Sequence, residues 1–179
     1  MRELSLHTSR LRGCANDLRV GARVLLSGPV YTARDAAHRR LCALLDENKL
    51  LPFELGGACV YYTGPTPTPP GRVIGSCGPT TSGRMDLHTP RLLAHGLSAM
   101  IGKGARGEAV CRAIMAHGAV YFCAIGGAGA LAAGRVAACE DIAFPELGCE
   151  SVKRLELREF PLIVAVDAAG GNLFAGGDR

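Results

Sequence analysis

The sequence has no tryptophan, and aromatic residues make up only 5% of it. No run of five or six like charges occurs, and the net charge of +4 is scattered along the chain. Nucleic-acid binders more often show a basic stripe interleaved with stacking aromatics, so that class of partner is set aside. No uninterrupted apolar stretch approaches the roughly 18 residues of a membrane span. The opening MRELSLHTSRLRG lacks an apolar core, so no export signal and a cytosolic location are expected. Close cysteine pairs are missing too. The two nearest of the eight are Cys139 and Cys149, so no Cys-x-x-Cys exists. Free, mostly buried thiols are the expectation, rather than disulfides or a metal site.

What is present suits one globular domain. The 179 residues are 48% hydrophobic and 20% charged, enough for a real core and too few for two comfortable domains. The 24 glycines follow no collagen-like period and read as tight turns and close approaches.

Strand-like and helix-like segments alternate. Ala22–Ser27 is an apolar run ending at Gly28-Pro29, and Thr32–Lys49 has helical spacing with Thr32 as its cap. Ala58–Thr63 reads as a strand, followed by the proline-rich loop GPTPTPPG and a short strand at Arg72–Gly75. Thr89-Pro90 opens a helix ending at Gly96; Leu97–Ile101 and Ala119–Ile125 are strand-like; Arg106–His117 is a helix closed by Gly118. Gly126–Ala138 is helical in its second half. Val152–Glu159 and Pro161–Val166 are two strands, and the tail from Ala168 to Arg179 is expected to fray. One mixed α/β domain spanning 1–179 is the reading.

The chemistry concentrates in Ile74–Asp86, IGSCGPTTSGRMD. Its Gly78–Gly83 turn nearly spells a phosphate loop. Arg84-Met85, however, replaces the lysine and the magnesium-binding hydroxyl, which argues against a nucleoside triphosphatase. What survives is a concave backbone, hydroxyl donors and a guanidinium, a set suited to a carboxylate. Arg34 falls where a helix begins and a cation is mildly unfavourable, so it wants an anion: a ligand, or Asp35 or Glu54 of its own chain. Lys103, between Gly102 and Gly104 past a strand, reads either as a ligand contact or as a solvated turn residue. Gly127–Ala132 fits GxGxxA, yet no strand leads to an acidic residue at the right distance, so tight helix–strand packing is the better reading. The dispersed histidines read as structural or exposed. Together the cations and threonines suit a small dicarboxylate, with no base and no metal site evident.

YTARDAAHRRL (Tyr31–Leu41), VIGSCGPTTSGRMD (Val73–Asp86), MIGKG (Met100–Gly104) and AVYFCAIGGAGAL (Ala119–Leu131) occur in one order. In this the chain closely resembles the β subunit of two-subunit class I fumarases and L(+)-tartrate dehydratases, which is also the C-terminal domain of single-chain class I fumarases. The likeness runs from about Leu6 to Phe174. It implies an oxygen-sensitive iron–sulfur hydro-lyase whose [4Fe–4S] cluster is held by cysteines of the partner α subunit. There the open iron serves as a Lewis acid toward substrate. It implies a swivelling β/β/α fold, with Arg34 and Arg84 as the substrate-carboxylate clamps and Lys103 as a third cationic contact. Thr80 resembles the threonine that contacts the substrate and is a candidate in proton transfer. Thr81 shapes the loop and donates a hydrogen bond. A threonine hydroxyl is a poor base, so Thr80 needs a partner such as an aspartate of the other chain. Cys77 and Cys123 stand where alanine is more usual in the family, and are expected to be small buried side chains rather than cluster ligands.

The expectation is therefore the β subunit of a fumarate hydratase, active in a heterodimer or heterotetramer. The alternatives are a tartrate dehydratase β subunit and a non-catalytic anion-binding module.

Overall fold

The computed structural model describes residues 3–175. In chain order the regular elements are β1 (Leu4–His7), α1 (Leu11–Cys14), β2 (Arg23–Thr32), α2 (Asp35–Asp46), β3 (Cys59–Tyr61), α3 (Thr89–Ala94), β4 (Ala99–Gly102), α4 (Glu108–His117), β5 (Val120–Cys123), α5 (Gly129–Ala133), β6 (Val136–Ala143) and β7 (Val152–Val166).

All seven strands form one sheet. β2, β3, β4 and β5 run parallel side by side, β7 lies antiparallel to β5, and β7 also pairs antiparallel with β2. That last pairing closes the five strands into a barrel. β1 extends the sheet from β2 and β6 extends it from β7. Among the described residues no helix is long and apolar enough to cross a membrane.

Side-chain alternation divides the apolar residues between two cores. Tyr61, Ile101, Phe122, Leu26, Leu157 and Val164 fill the barrel. Their strand neighbours Val60, Met100 and Tyr121 point outward, against Leu41 of α2, Leu92 and Leu93 of α3, and Val110 and Ile114 of α4. The short parallel strands are thus buried on both faces, which is why they read as continuous apolar runs.

Several boundaries differ from the sequence reading, each for a tertiary reason. β2 passes straight through Gly28-Pro29, because one edge is unpartnered between the end of β1 pairing at Ser27 and the start of β3 pairing at Tyr31. Thr32 caps nothing. It ends β2, its Oγ1 donating to the Ser151 carbonyl (3.1 Å) and accepting the Lys153 N–H (2.9 Å). Arg72–Gly75 is no strand; the loop there folds on itself, with Thr66 N donating to the Ser76 carbonyl. The two expected C-terminal strands are one. β7 absorbs Pro161 through a bulge at Glu159, whose φ is +47° and whose N–H donates to Ser27 Oγ. As far as Ala175 the tail folds back rather than fraying. Asp167 Oδ1 accepts the Ala169 and Gly171 N–H groups, and Leu173 N donates to the Ala165 carbonyl. Residues 176–179 of that expectation lie outside the described residues.

Candidate functional site

Four parallel strands ending side by side leave four segments at one rim of the barrel, the place where ligands gather in such sheets. Arg34 follows β2, Thr63-Gly64 follows β3, Lys103 follows β4, and Ala124–Gly127 follows β5.

The Gly78–Arg84 loop is laid across these ends by specific bonds. Tyr61 OH donates to the Cys77 carbonyl (2.5 Å), and Thr63 Oγ1 to the Gly78 carbonyl (2.8 Å). Thr80 N donates to the Tyr62 carbonyl at 2.6 Å, and the Lys103 N–H points back to the Thr80 carbonyl at 3.3 Å. Thr81 and Lys103 are bridge partners, and Ser82 N donates to the Lys103 carbonyl at 2.9 Å. Thr80, Thr81 and Lys103 are therefore brought together by backbone pairing, with Thr81 exposed and Thr80 and Lys103 partly buried.

Beneath the loop lies a polar scaffold that the sequence did not reveal. Ser82 Oγ is buried, hydrogen-bonded to Tyr121 OH (2.8 Å), and accepts the Lys103 N–H (3.1 Å). A Cβ on Gly102 would come within 1.9 Å of that oxygen, so only glycine lets loop and strand meet there. Asp86 accepts Arg106 Nε (2.7 Å) and Gly107 N (2.6 Å). The Arg106 side chain is fully buried, donates to Thr89 Oγ1 (2.8 Å), and lies over the Tyr62 and Tyr121 rings. The aspartate of GRMD thus anchors the loop to the start of α4. A signal existed, since Asp86 and Arg106 each stand beside a motif, but which pairs with which is fixed only by the fold.

Ion pairing differs from the sequence reading. Asp35, the first residue of α2, takes Arg84 rather than Arg34, with Nε–Oδ1 3.1 Å and Nη2–Oδ2 2.7 Å. Arg34, at the cap position of α2, pairs with neither Asp35 nor Glu54. Its Nη2 lies 3.5 Å from Glu150 Oε1. Arg34 Nε is buried with no hydrogen-bond partner among the described residues. Lys103 has no carboxylate partner among them; its side chain lies over Gly126. Three cations against two carboxylates leave this rim one positive charge in excess.

His38, one turn into α2, is fully buried. Its Nδ1 donates to the Arg34 carbonyl at 2.8 Å, while Nε2 has no partner. Burial pushes its pKa down to about 4, with a smaller contribution in the same direction from His88. The ring is therefore neutral at ordinary pH and braces the Arg34 backbone.

The thiols do not converge. Cys77 is buried in the barrel and pushed up to about 12, chiefly by burial. Cys123, also raised by burial, has its Sγ 3.5 Å from Tyr121 OH. Among the described residues no group of three or more His, Cys, Asp or Glu side chains could hold a metal ion. A cluster with cysteine ligands does not fit this chain's own residues. The GxGxxA segment is a close-packing device, with Gly129 set against Ser76 and Gly78 of the loop rather than against a strand.

Comparison with known proteins identifies the family. The family model described as the fumarase C-terminus matches residues 1–177. The chain is 41% identical over 157 residues to fumarate hydratase class I, anaerobic, of Escherichia coli K12, covering 87% of this chain and 29% of that protein. It is 39% identical over 163 residues to the putative L(+)-tartrate dehydratase subunit beta of Methanocaldococcus jannaschii, covering 88% of this chain and 84% of that one. It is 34% identical over 164 residues to L(+)-tartrate dehydratase subunit beta of E. coli K12, covering 89% and 80%. The chain thus spans less than a third of the fumarate hydratases it matches, but four fifths or more of the β subunits. By the family model and by these relatives, the chain belongs to the family of the fumarase C-terminus and the L(+)-tartrate dehydratase β subunit.

Proposed function

We propose that this chain is the β subunit of an iron–sulfur-dependent hydro-lyase that reversibly hydrates fumarate to (S)-malate. The observation that supports the reading is the placement of Arg34, Arg84 and Lys103, on three different segments, along the rim that also bears the Thr80-Thr81 turn. Two guanidinium groups and an ammonium along one rim suit a dianion, and a guanidinium fork matches a carboxylate.

In this reading Arg34 and Arg84 each hold one carboxylate and Lys103 adds a third contact. Thr81 donates from the loop, and Thr80 reaches toward the carbons where water is gained or lost. Proton movement at Thr80 Oγ1 then needs an acceptor from the other chain. The [4Fe–4S] cluster is assigned to the α subunit, where its iron would act as Lewis acid; this chain's residues bind, orient and enclose. The assembly is a cytoplasmic heterodimer or heterotetramer. The closed barrel with helices packed on its outside supports the swivelling β/β/α class.

The match over four fifths of two β subunits of L(+)-tartrate dehydratases supports a second reading, in which the same clamp holds tartrate and loss of water gives oxaloacetate. Anaerobic affinity purification of the chain from its own cells tests both. The eluate is assayed for iron, for loss of fumarate absorbance and for L-tartrate dehydration. An iron-bearing partner with fumarate turnover is expected, and preference for tartrate selects the second reading. No partner, iron or turnover under strict anaerobiosis would leave a non-catalytic anion-binding module.

A further inference from the structure

We infer that Glu150 is a positioning residue for the substrate grip, acting through Arg34 rather than on the substrate. The inference rests on the proposed reading of the site and names a carboxylate which that reading does not use.

Glu150 does two things at once. Its Oε2 accepts the Ala36 N–H at 2.8 Å, satisfying one of the amides left open at the start of the twelve-residue α2. Its Oε1 lies 3.5 Å from Arg34 Nη2, with both side chains 21% exposed. The segment bearing Glu150 is itself fixed, by the two bonds from Thr32 Oγ1 to Ser151 and Lys153. The guanidinium also meets Gly64, where a Cβ would stand 2.6 Å from Arg34 Nη1 and 3.2 Å from the Cys149 carbonyl. Gly64 leaves room for the guanidinium between the β3 end and the Cys149–Glu150 segment. His38 holds the Arg34 carbonyl from behind.

A long arginine side chain otherwise has many rotamers to choose among, and fixing one costs conformational entropy. Glu150 reduces that set, so the guanidinium meets the substrate already oriented. A carboxylate that merely occupied the substrate's place would act oppositely, because its removal would tighten binding.

Glu150→Gln separates the two roles. The amide oxygen still accepts the Ala36 N–H, while the charge facing Arg34 is lost. The enzyme is taken as the anaerobically isolated assembly, with its circular dichroism and Tm checked against wild type. The KM for fumarate, or for tartrate if that is the substrate, is expected to rise about fivefold to tenfold, with kcat changed by less than about twofold. In an Arg34→Ala background the same substitution is expected to change kcat/KM no further. Where that background turns over too slowly, the Kd of succinate, a non-reacting dicarboxylate, is read by calorimetry. Glu150→Asp, which keeps the charge, should recover part of the loss. Unchanged KM, lowered KM, or an equal effect in both backgrounds would each overturn the inference while leaving the proposed function standing. A wild-type assembly that turns over neither substrate would remove the proposed function, and the inference with it.

Discussion

Arg84 and Asp35, 49 positions apart, face each other in a two-pronged ion pair with contacts of 3.1 and 2.7 Å. Asp35 opens α2 and Arg84 lies in the 3-10 turn Ser82–Met85, so this pair ties the loop to the helix that begins at the rim. The arrangement orients Arg84 but leaves its side chain 49% exposed, within reach of an incoming anion.

Arg84→Ala in the assembled enzyme should cut kcat/KM for the dicarboxylate by at least about tenfold, the effect of losing a charged hydrogen bond worth roughly 1.5–3 kcal/mol. Arg84→Lys should recover little of it, because a point charge cannot reproduce the fork. Steady-state kinetics at constant ionic strength make the comparison. Wild-type values in the alanine variant would exclude Arg84 from the grip.

Arg106 should matter for stability more than any exposed cation. Arg106→Ala removes the charged partner of Asp86, which keeps the Gly107 N–H, takes one hydrogen bond from Thr89, and opens a space between Tyr62 and Tyr121. Losing a partner of a partly buried, hydrogen-bonded charge costs about 1–3 kcal/mol. Urea unfolding of the isolated chain should show that loss as a lower midpoint at unchanged slope. A loss below about 1 kcal/mol would mean that the scaffold beneath the loop is not held in this way.

Gly102 offers a sharper steric test. An added methyl at 1.9 Å from Ser82 Oγ forces the loop or strand to move, and Gly102→Ala should destabilise the chain by about 1–3 kcal/mol. The double variant Gly102→Ala/Ser82→Ala removes the clashing oxygen and should recover part of the loss, though not the bonds to Tyr121 and Lys103. Strict additivity of the two substitutions would count against the contact.

His38 makes stability depend on pH. Its folded-state pKa of about 4 lies below its ordinary value of 6.5, principally through burial, with His88 and Arg106 lowering it further and the Arg34 carbonyl and Asp35 opposing. As pH falls below 6.5 the unfolded chain takes up a proton that the folded chain refuses. Stability from this group is thus fully present above 6.5 and is lost between there and about 4, up to roughly 3 kcal/mol. Equilibrium unfolding across that window should show the loss, and His38→Asn should flatten it. An identical slope in the variant would assign the dependence to other groups.

What the sequence discloses is what is decided locally. α4 and its cap are legible because the apolar spacing and Gly118, in the left-handed region at φ +63°, lie within one short stretch. β3, β4 and β5 announce themselves as short apolar runs. β1 and β6 do not, because each lies at an end of the sheet and exposes much of its length. Pro29 and Pro161 read as strand breaks because the gap and the bulge that tolerate them show only in the pairing with other strands. At the rim, Arg34, Arg84 and Lys103 stand out by their glycine-rich or helix-start settings. The carboxylate facing Arg34 stays hidden, since nothing near Ala36 points to a residue 114 positions away.

The closure of the barrel by β2 and β7 also sets an order of events during synthesis. β2 is complete at Thr32, but its antiparallel partner is not finished until Val166. Until then the nascent chain carries an unpaired strand edge, the kind of surface on which chains associate wrongly. Contacts between segments so distant in sequence form slowly. The rim around Arg34 inherits this delay, because Glu150, the residue facing Arg34, emerges just ahead of that final strand.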